Sequence, residues 1–546
     1  MKNAAETIVA CLENEQVRYI FGLPGEENIH LVEALSHSDI RFILARDERD
    51  AAFMADVYGR LTGEPGVCLS TLGPGAINLA LGVADAQMDG TPLVGIVAQA
   101  ALKRLYKESH QNVDLVALFK PLTKWAHMIV LADTTAEVIR KAFKLAQMER
   151  PGATVVVVPE DVARQETNIA PLVRAKPRPE HPDGNQILRA AKILEEADCA
   201  VILAGHTAVR SRAGQSLTRL AEHLSIPVAT TFMAKGVIPD RHPLALGTIG
   251  FMRHDYSNFG FDKAEVIVCV GYDPIEYAPE SWNPKKDKRI VHIHRSPAEP
   301  DAFYNLSVGI EGDISVALEQ LIEKTKPGRR SCTVHEVVRR FIDTELEQFA
   351  DDRSVPMKPQ RIVSDLRKAL ADEDIVLCDT GALKMWMARL FPCYQPNTCL
   401  ISNSLATMGF SVPGAIAAKL ARPNRKVVAV TGDGAFLMSS HALETAVRER
   451  TPFVTLIWRD GSYGLIKWKQ EMEFGRSSYV DFTNPDFVRY AESFGIRGYR
   501  IENAGDLLPT LAECLRKDEM AVIDCPVDYS ENAKLVERLG HVSLPA

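Results

Sequence analysis

Short apolar runs rich in β-branched residues alternate along the chain with longer segments of helical periodicity. The runs 67–73, 93–99 and 154–161 are short enough for strands and apolar at most positions. The segment 48–63 lies before them and spaces its apolar residues as an amphipathic helix does. Apolar strands that alternate with helices indicate a parallel sheet with both faces covered, and therefore an α/β fold.

The same alternation recurs in three blocks, which polar, charged or proline-rich stretches separate at 171–186, 323–332 and 352–360. The second and third blocks contain further predicted strands. These strands are 199–209, 226–232, 265–274, 289–299, 374–381, 426–434, 452–461 and 520–528. We therefore predict three α/β domains, each a mostly parallel sheet flanked by helices. Their predicted ranges are 1–170, 185–328 and 355–546.

Composition and charge narrow the class of protein. Hydrophobic residues make up 46% of the 546 residues and charged residues 25%, as in ordinary globular domains. The net charge of −8 argues against a nucleic-acid partner. The ten cysteines include no Cys-x-x-Cys pair, which argues against a zinc site or a disulfide framework. With neither a signal-peptide pattern nor an apolar run of membrane-spanning length, we expect a cytoplasmic protein without membrane contact.

The segment 426–440 joins a predicted strand to a glycine loop that contains an acid, Thr431-Gly432-Asp433-Gly434. The N–H groups of such a loop can hold a phosphate, but an aspartate would repel it. A divalent cation removes this conflict, because Mg²⁺ is commonly held by one or two carboxylates together with phosphate oxygens. The loop lacks the Gly-Lys-Ser/Thr ending of a nucleotide P-loop. The alternative interpretation is a tight turn with a solvated aspartate.

A second acid, Asp460, ends the next predicted strand, 452–461. The intervening helix is expected to place Leu437, Leu443 and Val447 on one face, which completes a βαβ unit. Both aspartates then fall at the carboxyl ends of strands, where open α/β sheets bind ligands. We therefore predict Asp433 and Asp460 as a pair of metal ligands, with two ordinary loop carboxylates as the alternative.

This pattern resembles the Mg²⁺–thiamine diphosphate (ThDP) motif, in which Gly-Asp-Gly is followed after a few tens of residues by Asn or Asp. The resemblance implies that Asp433, Asp460, the carbonyl of Ser462 and the cofactor diphosphate hold the Mg²⁺.

The resemblance extends over nearly the whole chain and identifies the acetolactate (acetohydroxyacid) synthase group. The segments that carry it are FGLPG (21–25), RDERDAAFMADVYGRLTG (46–63), TLGPGAINL (71–79), SHQNVDLVALFKPLTKW (109–125) and LATMGFSVPGAIAA (405–418). The segments VGYDPIEY (270–277) and VDFTNPDFVRYAESFG (480–495) are most similar to the catabolic, FAD-independent members of the group.

The resemblance implies roles for individual residues. Glu48 matches the acid that protonates the aminopyrimidine ring, so that the cofactor forms its C2 ylid. Gln111 matches a glutamine near the reacting carbon, and Met408 matches the apolar residue that bends the cofactor. From the residues alone, Glu48 is equally typical of a helix start and Met408 of a core. The further implied cofactor-binding residues are Thr71, Pro74, Asn78, Gly381, Ala382, Leu383, Gly432, Gly434, Ala435, Tyr463, Gly464 and Leu465.

The implied activity is that of a ThDP- and Mg²⁺-dependent carboligase. It decarboxylates a 2-oxo acid, expected to be pyruvate, and joins the enamine to a second 2-oxo acid to give 2-acetolactate. The resemblance also implies a homodimer or homotetramer with its active site between subunits, where Glu48 of one chain faces the Mg²⁺ site of another. FAD is not expected, because GYDPIEY (271–277) replaces the Arg-Phe-Asp-Asp-Arg stretch of the FAD-dependent members.

Several departures from the family pattern leave the substrates open. Asp47 and Arg49 flank the acid, where the family often has His and Gln. Leu383 and Ala406 replace a frequent His and Gln, and the segment 464–474 does not follow the usual acceptor pattern. Two alternatives therefore stay open. One is a ThDP-dependent 2-oxo acid decarboxylase or acyloin lyase with another substrate, and the other is a catalytically silent ThDP-fold regulatory subunit.

Overall fold

The computed structural model describes residues 2–175, 178–250, 256–328 and 333–532. Residues 176–177 and 329–332 of the predicted interdomain stretches and residues 533–546 of the third predicted domain lie outside these ranges. The chain divides into two compact units. The first unit comprises Met1–Arg178, Ser404–Asn424 and Leu437–Pro452. The second unit comprises Pro179–Asn403, Arg425–Phe436 and Phe453–Ala546.

The first unit contains a six-stranded sheet in which all neighbouring strands are parallel. Across the sheet the strands are Arg41–Leu44, Tyr19–Gly22, Gly66–Ser70, Leu93–Gln99, Ala153–Pro159 and Trp125–Met128. Numbered by chain order within the sheet, this order is 2-1-3-4-6-5. The consecutive valines of Ala153–Pro159 are all buried, as expected for a strand with both faces covered. Lys2–Asn3 and Glu166–Thr167 form a separate antiparallel pair.

Helices pack against this sheet and complete the first unit. The α-helices are Ala4–Asn14, Ile29–Ser36, Glu48–Thr62, Pro74–Met88, Leu115–Phe119, Thr135–Gln147, Glu160–Ala163, Ser411–Ala421 and Ala442–Glu449. Asp47 caps the helix Glu48–Thr62 by accepting a hydrogen bond from Arg49 N, and Gly63 ends it in the left-handed conformation. This helix packs along Pro74–Met88 and Ser411–Ala421.

The second unit contains two further six-stranded parallel sheets. Across the central sheet the strands are Ala245–Thr248, Val228–Thr230, Ala200–Ala204, Val266–Val270, Arg289–His294 and Leu306–Glu311, in the order 3-2-1-4-5-6. Across the C-terminal sheet they are Cys399–Ile401, Ile375–Cys378, Val427–Gly432, Val454–Arg459, Ala521–Pro526 and Arg497–Arg500, in the order 2-1-3-4-6-5.

The second unit also contains most of the remaining helices. Its α-helices are Gly184–Glu196, His206–Arg210, Gly214–Leu224, Tyr256–Asp262, Ile314–Lys324, Val334–Phe349, Pro359–Ala369, Ala382–Leu390, Gly464–Phe474, Phe487–Ser493 and Leu507–Lys517. The helix Asp433–Ser439 begins in the second unit and ends in the first. Short 3₁₀ helices occur at Glu26–Asn28, Leu102–Arg104, Lys120–Leu122, Ala132–Thr134, Phe232–Ala234, Pro279–Ser281, Ala504–Asp506 and Tyr529–Glu531.

The predicted α/β class with three parallel sheets is confirmed, and each predicted strand overlaps an observed one. The domain boundaries stay a prediction. The prediction that Leu437, Leu443 and Val447 share one face of a single helix is wrong. The segment forms two helices separated by a turn at 440–441, which changes their relative phase. Leu443 is fully buried, whereas Leu437 and Val447 are 38% and 41% exposed.

No helix within the described ranges combines the length and apolarity that crossing a membrane requires.

Candidate active site

The predicted site residues divide between the two units. The first unit carries Glu48, Thr71, Pro74, Asn78, Gln111 and Met408. The second unit carries Gly381, Ala382, Leu383, Gly432, Asp433, Gly434, Ala435, Asp460, Ser462, Tyr463, Gly464 and Leu465. Those of the second unit end or follow parallel strands, at the carboxyl edge where α/β sheets bind ligands, and in the first unit Thr71 directly follows a strand and Glu48 begins the next helix after one.

Glu48 begins the helix that follows the strand Arg41–Leu44 and is largely buried. Asn78 Nδ2 donates a hydrogen bond to Glu48 Oε2 at 3.2 Å. The backbone of Gly75 approaches so closely that a Cβ placed there would lie 2.8 Å from Glu48 Oε1. The Asn78 amide and the backbone of Gly75 therefore limit the space around the Glu48 carboxyl group. Asn78 and Glu48, both predicted site residues, are thus in contact.

The loop at 71–75 lies beside Glu48 in the same unit. Thr71 Oγ1 donates to Glu27 Oε2 at 2.8 Å, and the Glu27 side chain is buried. Pro74 occupies the first turn of its helix, where a missing N–H costs no hydrogen bond. Gly73 has φ +48°, and a Cβ there would lie 2.7 Å from the carbonyl oxygen of Gln111. The backbone of Gln111 thus packs on this loop, while its side chain is exposed.

Met408 is half-buried in a segment with two left-handed residues, Ala406 at φ 54° and Gly409 at φ 87°. Ser404 N donates to Asp89 Oδ1 at 2.7 Å and fixes the start of this segment within the first unit. Phe410, just beyond it, packs edge-to-face on Phe53 with 5.9 Å between ring centroids. The backbone around Met408 is therefore fixed at both ends.

Asp433 follows the strand Val427–Gly432 and is 1% exposed. Its Oδ1 accepts a hydrogen bond from Gly434 N at 3.0 Å. Its Oδ2 accepts from Gly461 N and from Asn484 Nδ2, both at 2.8 Å. The contact to Gly461 arises because Val427–Gly432 and Val454–Arg459 are parallel neighbours whose carboxyl ends meet. Three donors hold the carboxylate in one orientation.

Asp460 lies at the end of the neighbouring strand, next to Asp433. Its Oδ2 accepts a hydrogen bond from Ser462 Oγ at 2.9 Å, and a Cβ at Gly464 would lie 2.5 Å from the same oxygen. Burial, followed by the negative charge of Asp433, raises the pKa of Asp460 to about 6. Two carboxylates that disfavour each other's ionisation are stabilised by a cation placed between them.

The donor set fits a Mg²⁺–diphosphate group better than a metal cage built by the protein alone. Among the described residues, no group of three or more His, Cys, Asp or Glu side chains is arranged to hold a metal. Mg²⁺ commonly takes only one or two protein carboxylates and completes its shell with phosphate oxygens and water. Gly381 precedes the helix Ala382–Leu390, whose N-terminal N–H groups suit an anion. Leu383 is buried and packs toward Gly432.

A cavity of about 490 Å³ opens beside Asp460 within the second unit. Its lining includes Ser462 and Gly464 together with Trp468 and Glu471 from the helix Gly464–Phe474. Tyr463, in contrast, is 40% exposed, and its ring packs edge-on against Phe482. Asp460, one member of the predicted metal pair, therefore faces a space large enough for a small ligand.

Two polar contacts of this site were not among the predicted residues. Glu27 accepts the Thr71 hydroxyl, and Asn484 donates to Asp433. Asn484 lies in the segment 480–495, which the sequence comparison singled out only for its likeness to catabolic enzymes. No regular spacing in the sequence connects Glu27 with Thr71 or Asn484 with Asp433, because the two partners of each contact lie on different segments of the chain.

Three family models match the chain in order. The "Thiamine pyrophosphate enzyme, N-terminal TPP binding domain" matches residues 2–118. The central domain of the same enzymes matches residues 187–321, and their C-terminal TPP binding domain matches residues 379–525.

Similar proteins match over nearly their whole length. The "Acetolactate synthase" of Bacillus subtilis (strain 168) is 36% identical over 97% of this chain and 94% of its own length. The "Acetolactate synthase, catabolic" of Raoultella terrigena is 34% identical over 99% of this chain and 98% of its own. The "Probable acetolactate synthase large subunit" of Methanococcus aeolicus is 34% identical over 98% of this chain and 93% of its own. The chain belongs to the thiamine diphosphate-dependent acetolactate synthase family.

Proposed function

We propose that this protein is a ThDP- and Mg²⁺-dependent carboligase. It decarboxylates a 2-oxo acid, pyruvate in the first instance, and joins the remaining two-carbon unit to a second 2-oxo acid to give 2-acetolactate. The observation that carries the proposal is the pair Asp433 and Asp460 at the ends of neighbouring strands, in a chain that matches acetolactate synthases over nearly its full length.

The second unit would hold the diphosphate end of the cofactor. Asp433, Asp460 and the Ser462 carbonyl would bind Mg²⁺. The N–H groups around Gly381 and Ala382 and the loop residues Gly432, Gly434 and Ala435 would contact the diphosphate. Tyr463, Gly464 and Leu465 would complete this half. When bound, ThDP supplies a nucleophilic carbon that adds to a 2-oxo carbonyl and an electron sink for decarboxylation.

The first unit would hold the pyrimidine end of the cofactor. Glu48 would donate its carboxyl proton to the ring nitrogen and take it back, with Asn78 Nδ2 fixing the orientation of the carboxyl group. Thr71, Pro74 and Met408 would shape the pocket around the ring, and the exposed amide of Gln111 would face the substrate. We propose that Glu48 of one copy serves a cofactor whose Mg²⁺ is held by Asp433 and Asp460 of another, so that the active form is a homo-oligomer.

The central sheet supports a reaction without FAD. Its order 3-2-1-4-5-6 is that of dinucleotide-binding folds, in which the ligand lies where the strand order reverses. Here Glu276 fills that point. Its carboxylate accepts from His206 N at 3.0 Å, from Asp273 N at 3.1 Å and from the Thr231 hydroxyl at 2.5 Å. A phosphate would have to displace an acidic side chain that already uses these donors.

A second candidate is a ThDP-dependent decarboxylase or acyloin lyase. The departures at Leu383 and Ala406 favour it, because Leu383 is buried beside Gly432 and Ala406 lies two residues before Met408. Both replace polar residues that the family often has near the reacting groups.

Incubation with pyruvate, ThDP and Mg²⁺ in the absence of FAD separates these activities. The proposal predicts pyruvate loss with formation of acetolactate and one CO₂ for every acetolactate formed. Acetaldehyde in place of acetolactate would favour the decarboxylase. Untouched pyruvate would contradict pyruvate as donor, and a panel of other 2-oxo acids and acyloins would then identify the substrate. A parallel reaction with EDTA measures the dependence on Mg²⁺.

A further inference from the structure

The segment 438–441, which comprises the end of the helix Asp433–Ser439 and the turn at 440–441 and is called the turn 438–441, contacts the start of the helix Glu48–Thr62 at two places within the first unit. Arg49 Nη2 donates a hydrogen bond to the carbonyl oxygen of Met438. His441 Nε2 lies 2.7 Å from Asp50 Oδ2. The two residues that immediately follow Glu48 are therefore both bound to this one turn.

Asp50 is an unusual residue to bury. It is 0% exposed, and a buried carboxylate requires a cationic or hydrogen-bonding partner. Arg49 Nε is 4.0 Å from Asp50 Oδ1, so His441 is the nearer cationic partner. Burial raises the pKa of Asp50 to about 6. The interaction of His441 with Asp50 raises the pKa of His441 above its ordinary value. The ion pair thus forms above about pH 6 and is lost when His441 deprotonates.

Asp50 and Glu48 leave the helix in different directions. Residues two apart on an α-helix are about 200° apart around its axis and do not face each other. Glu48 faces Asn78 and Gly75, whereas Asp50 faces the turn 438–441. Asp50 therefore points away from the Glu48 carboxyl group, while its contact with His441 lies on the same first helix turn that carries Glu48.

The same turn also lies beside Gly409, the residue that follows Met408. A Cβ placed at Gly409 would lie 3.4 Å from Met438 Cβ and 3.5 Å from Ser439 Cβ. The residue next to Met408 thus packs on the turn whose end holds Asp50. A single short segment contacts the neighbours of two proposed active-site residues.

We propose that Asp50 and His441 form a positioning pair that holds the first turn of the helix Glu48–Thr62, and with it the Glu48 carboxyl group, in its working geometry. The role rests on the proposed function of Glu48. Neither residue touches the reacting atoms. A displacement of about 1 Å of a catalytic group can cost about a hundredfold in rate, so a contact that fixes the helix start has a large effect on turnover.

The charged groups with the strongest effect on the pKa of His441 lie at the start of the helix Glu48–Thr62. They are Asp50, Asp47 and Arg49. Asp47 Oδ2 is 4.0 Å from His441 Nε2 and Arg49 opposes the protonated imidazole. On the helix Ala442–Glu449, which follows His441, Glu449 pairs with Arg41 of the strand Arg41–Leu44 at 2.5 Å, and Arg448 pairs with Glu444 at 3.0 Å. These last two pairs bind the same helix without contacting the first turn at Glu48.

The test compares Asp50→Asn, His441→Gln and the double variant in the full-length protein, at saturating pyruvate, ThDP and Mg²⁺. Each single variant is expected to lower kcat about tenfold while the ThDP concentration for half-saturation stays within about twofold. The double variant should lose no more than either single variant, because both remove the same pair. In the wild type kcat should fall as His441 deprotonates at high pH, and His441→Gln should lack this limb.

Glu449→Gln is the matched control. It breaks the ion pairs of Glu449 with Arg41 of the strand Arg41–Leu44 and with the neighbouring Arg448, and should leave kcat within about twofold of the wild type. Wild-type kcat in Asp50→Asn and His441→Gln, with only Tm lowered, would overturn the positioning role. So would a double variant whose loss equals the product of the two single losses.

The two proposals fail in different ways. NMR titration of the His441 imidazole in the wild type and in Asp50→Asn measures the pair without reference to activity, and a lower pKa in the variant is expected. An unchanged His441 pKa would overturn the pair itself. Wild-type turnover in Glu48→Gln would overturn the proposed function of Glu48 and the positioning role with it. An inactive Glu48→Gln beside a fully active Asp50→Asn would overturn only the positioning role.

Discussion

The N-terminal and C-terminal sheets have the same strand order, 2-1-3-4-6-5, yet their carboxyl edges carry different chemistry. The N-terminal edge presents Glu48, held by the amide of Asn78, and at a separate contact Glu27, which accepts the Thr71 hydroxyl. The C-terminal edge presents two neighbouring acids, Asp433, which is held by three donors, and Asp460, which is held by Ser462. A carboxyl group without a neighbouring carboxylate in contact suits proton transfer, whereas two carboxylates at the ends of neighbouring strands suit a cation. Under the proposed function one topology serves two roles, because the roles depend on the side chains at the sheet edge.

The central sheet sharpens this comparison because its order, 3-2-1-4-5-6, is typical of dinucleotide-binding folds. At its point of strand reversal Glu276 occupies the donors that such folds offer to a phosphate. Fold alone would suggest a third ligand site here. The side chains argue against a phosphate site, because Glu276 already accepts the hydrogen bonds that a phosphate would need.

The largest expected effect separates the two edges. Glu48→Gln should lower turnover about a thousandfold or more, because general acid–base groups contribute up to about 10⁴. ThDP and Mg²⁺ binding should stay close to wild type, since the diphosphate half is untouched. Steady-state kinetics together with calorimetric titration of ThDP measure both. Glu26→Gln, an exposed acid in the same unit, is the control. Weakened ThDP binding in Glu48→Gln would contradict the assignment of proton transfer to the N-terminal edge and cofactor binding to the C-terminal edge.

Asp433→Asn should produce the opposite pattern. Loss of one charge from the metal pair should weaken Mg²⁺-dependent ThDP binding by about a hundredfold or more, and Asn484→Leu, which removes a donor to Asp433, by about tenfold. Titration of Mg²⁺ at fixed ThDP checks both variants. Asp481→Asn, an exposed acid paired with Lys467, should change little. Normal Mg²⁺ affinity in Asp433→Asn would remove Asp433 from the metal site.

Glycine variants test the two edges by sterics alone. Gly75→Ala would bring a methyl group to 2.8 Å from Glu48 Oε1, and Gly464→Ala one to 2.5 Å from Asp460 Oδ2. We expect Gly75→Ala to lower kcat about tenfold and Gly464→Ala to weaken Mg²⁺ binding about tenfold, because each displaces one carboxyl group. Gly505→Ala, which meets open space, is the control. The same kinetic defect in both variants would contradict the division of roles.

The smallest expected effect concerns the central sheet. Burial, and then the charge of Asp273, raise the pKa of Glu276 to about 8. An acid with a raised folded-state pKa binds its proton more tightly in the folded state, so stability falls as pH rises from the ordinary range of a glutamate through about 8. Glu276→Gln should flatten this dependence, by about 3 °C in Tm or less across the window. Thermal melts at pH 5, 7 and 9 measure it, and an unchanged slope would contradict a buried, titrating Glu276.

The sequence was most informative where apolar runs are continuous. Leu93–Gln99 was predicted to the residue, and the strand ending at Gly432 to within a few residues, because a strand buried on both faces needs an apolar side chain at almost every position. Strands such as Tyr19–Gly22 and Arg41–Leu44 were missed because they are only four residues long, and the second begins with an exposed charged residue. The turn at 440–441 was missed because Ser-His contains no helix-breaking residue.

The site residues that could be predicted are those marked by a short stretch of sequence, and contacts between distant segments could not be predicted. Asp433 and Asp460 follow strands, and their meeting required only that the strands be parallel neighbours, which the structure has. The contacts of Asn484 and Glu27, and the pair of Asp50 with His441, join segments far apart in the chain and depend on helix phase and loop path. No spacing in the sequence encodes them.

Subunit mixing tests most directly whether the two edges act together as one site in an oligomer. Glu48→Gln and Asp433→Asn are purified separately, dissociated and reassociated, and assayed with pyruvate, ThDP and Mg²⁺. If Glu48 of one copy serves the metal pair of another, each mixed dimer regains one intact site, and random mixing should restore about a quarter of wild-type activity. Mass spectrometry of the mixture confirms exchange. Absence of recovered activity in a mixture that contains mixed dimers would contradict the account.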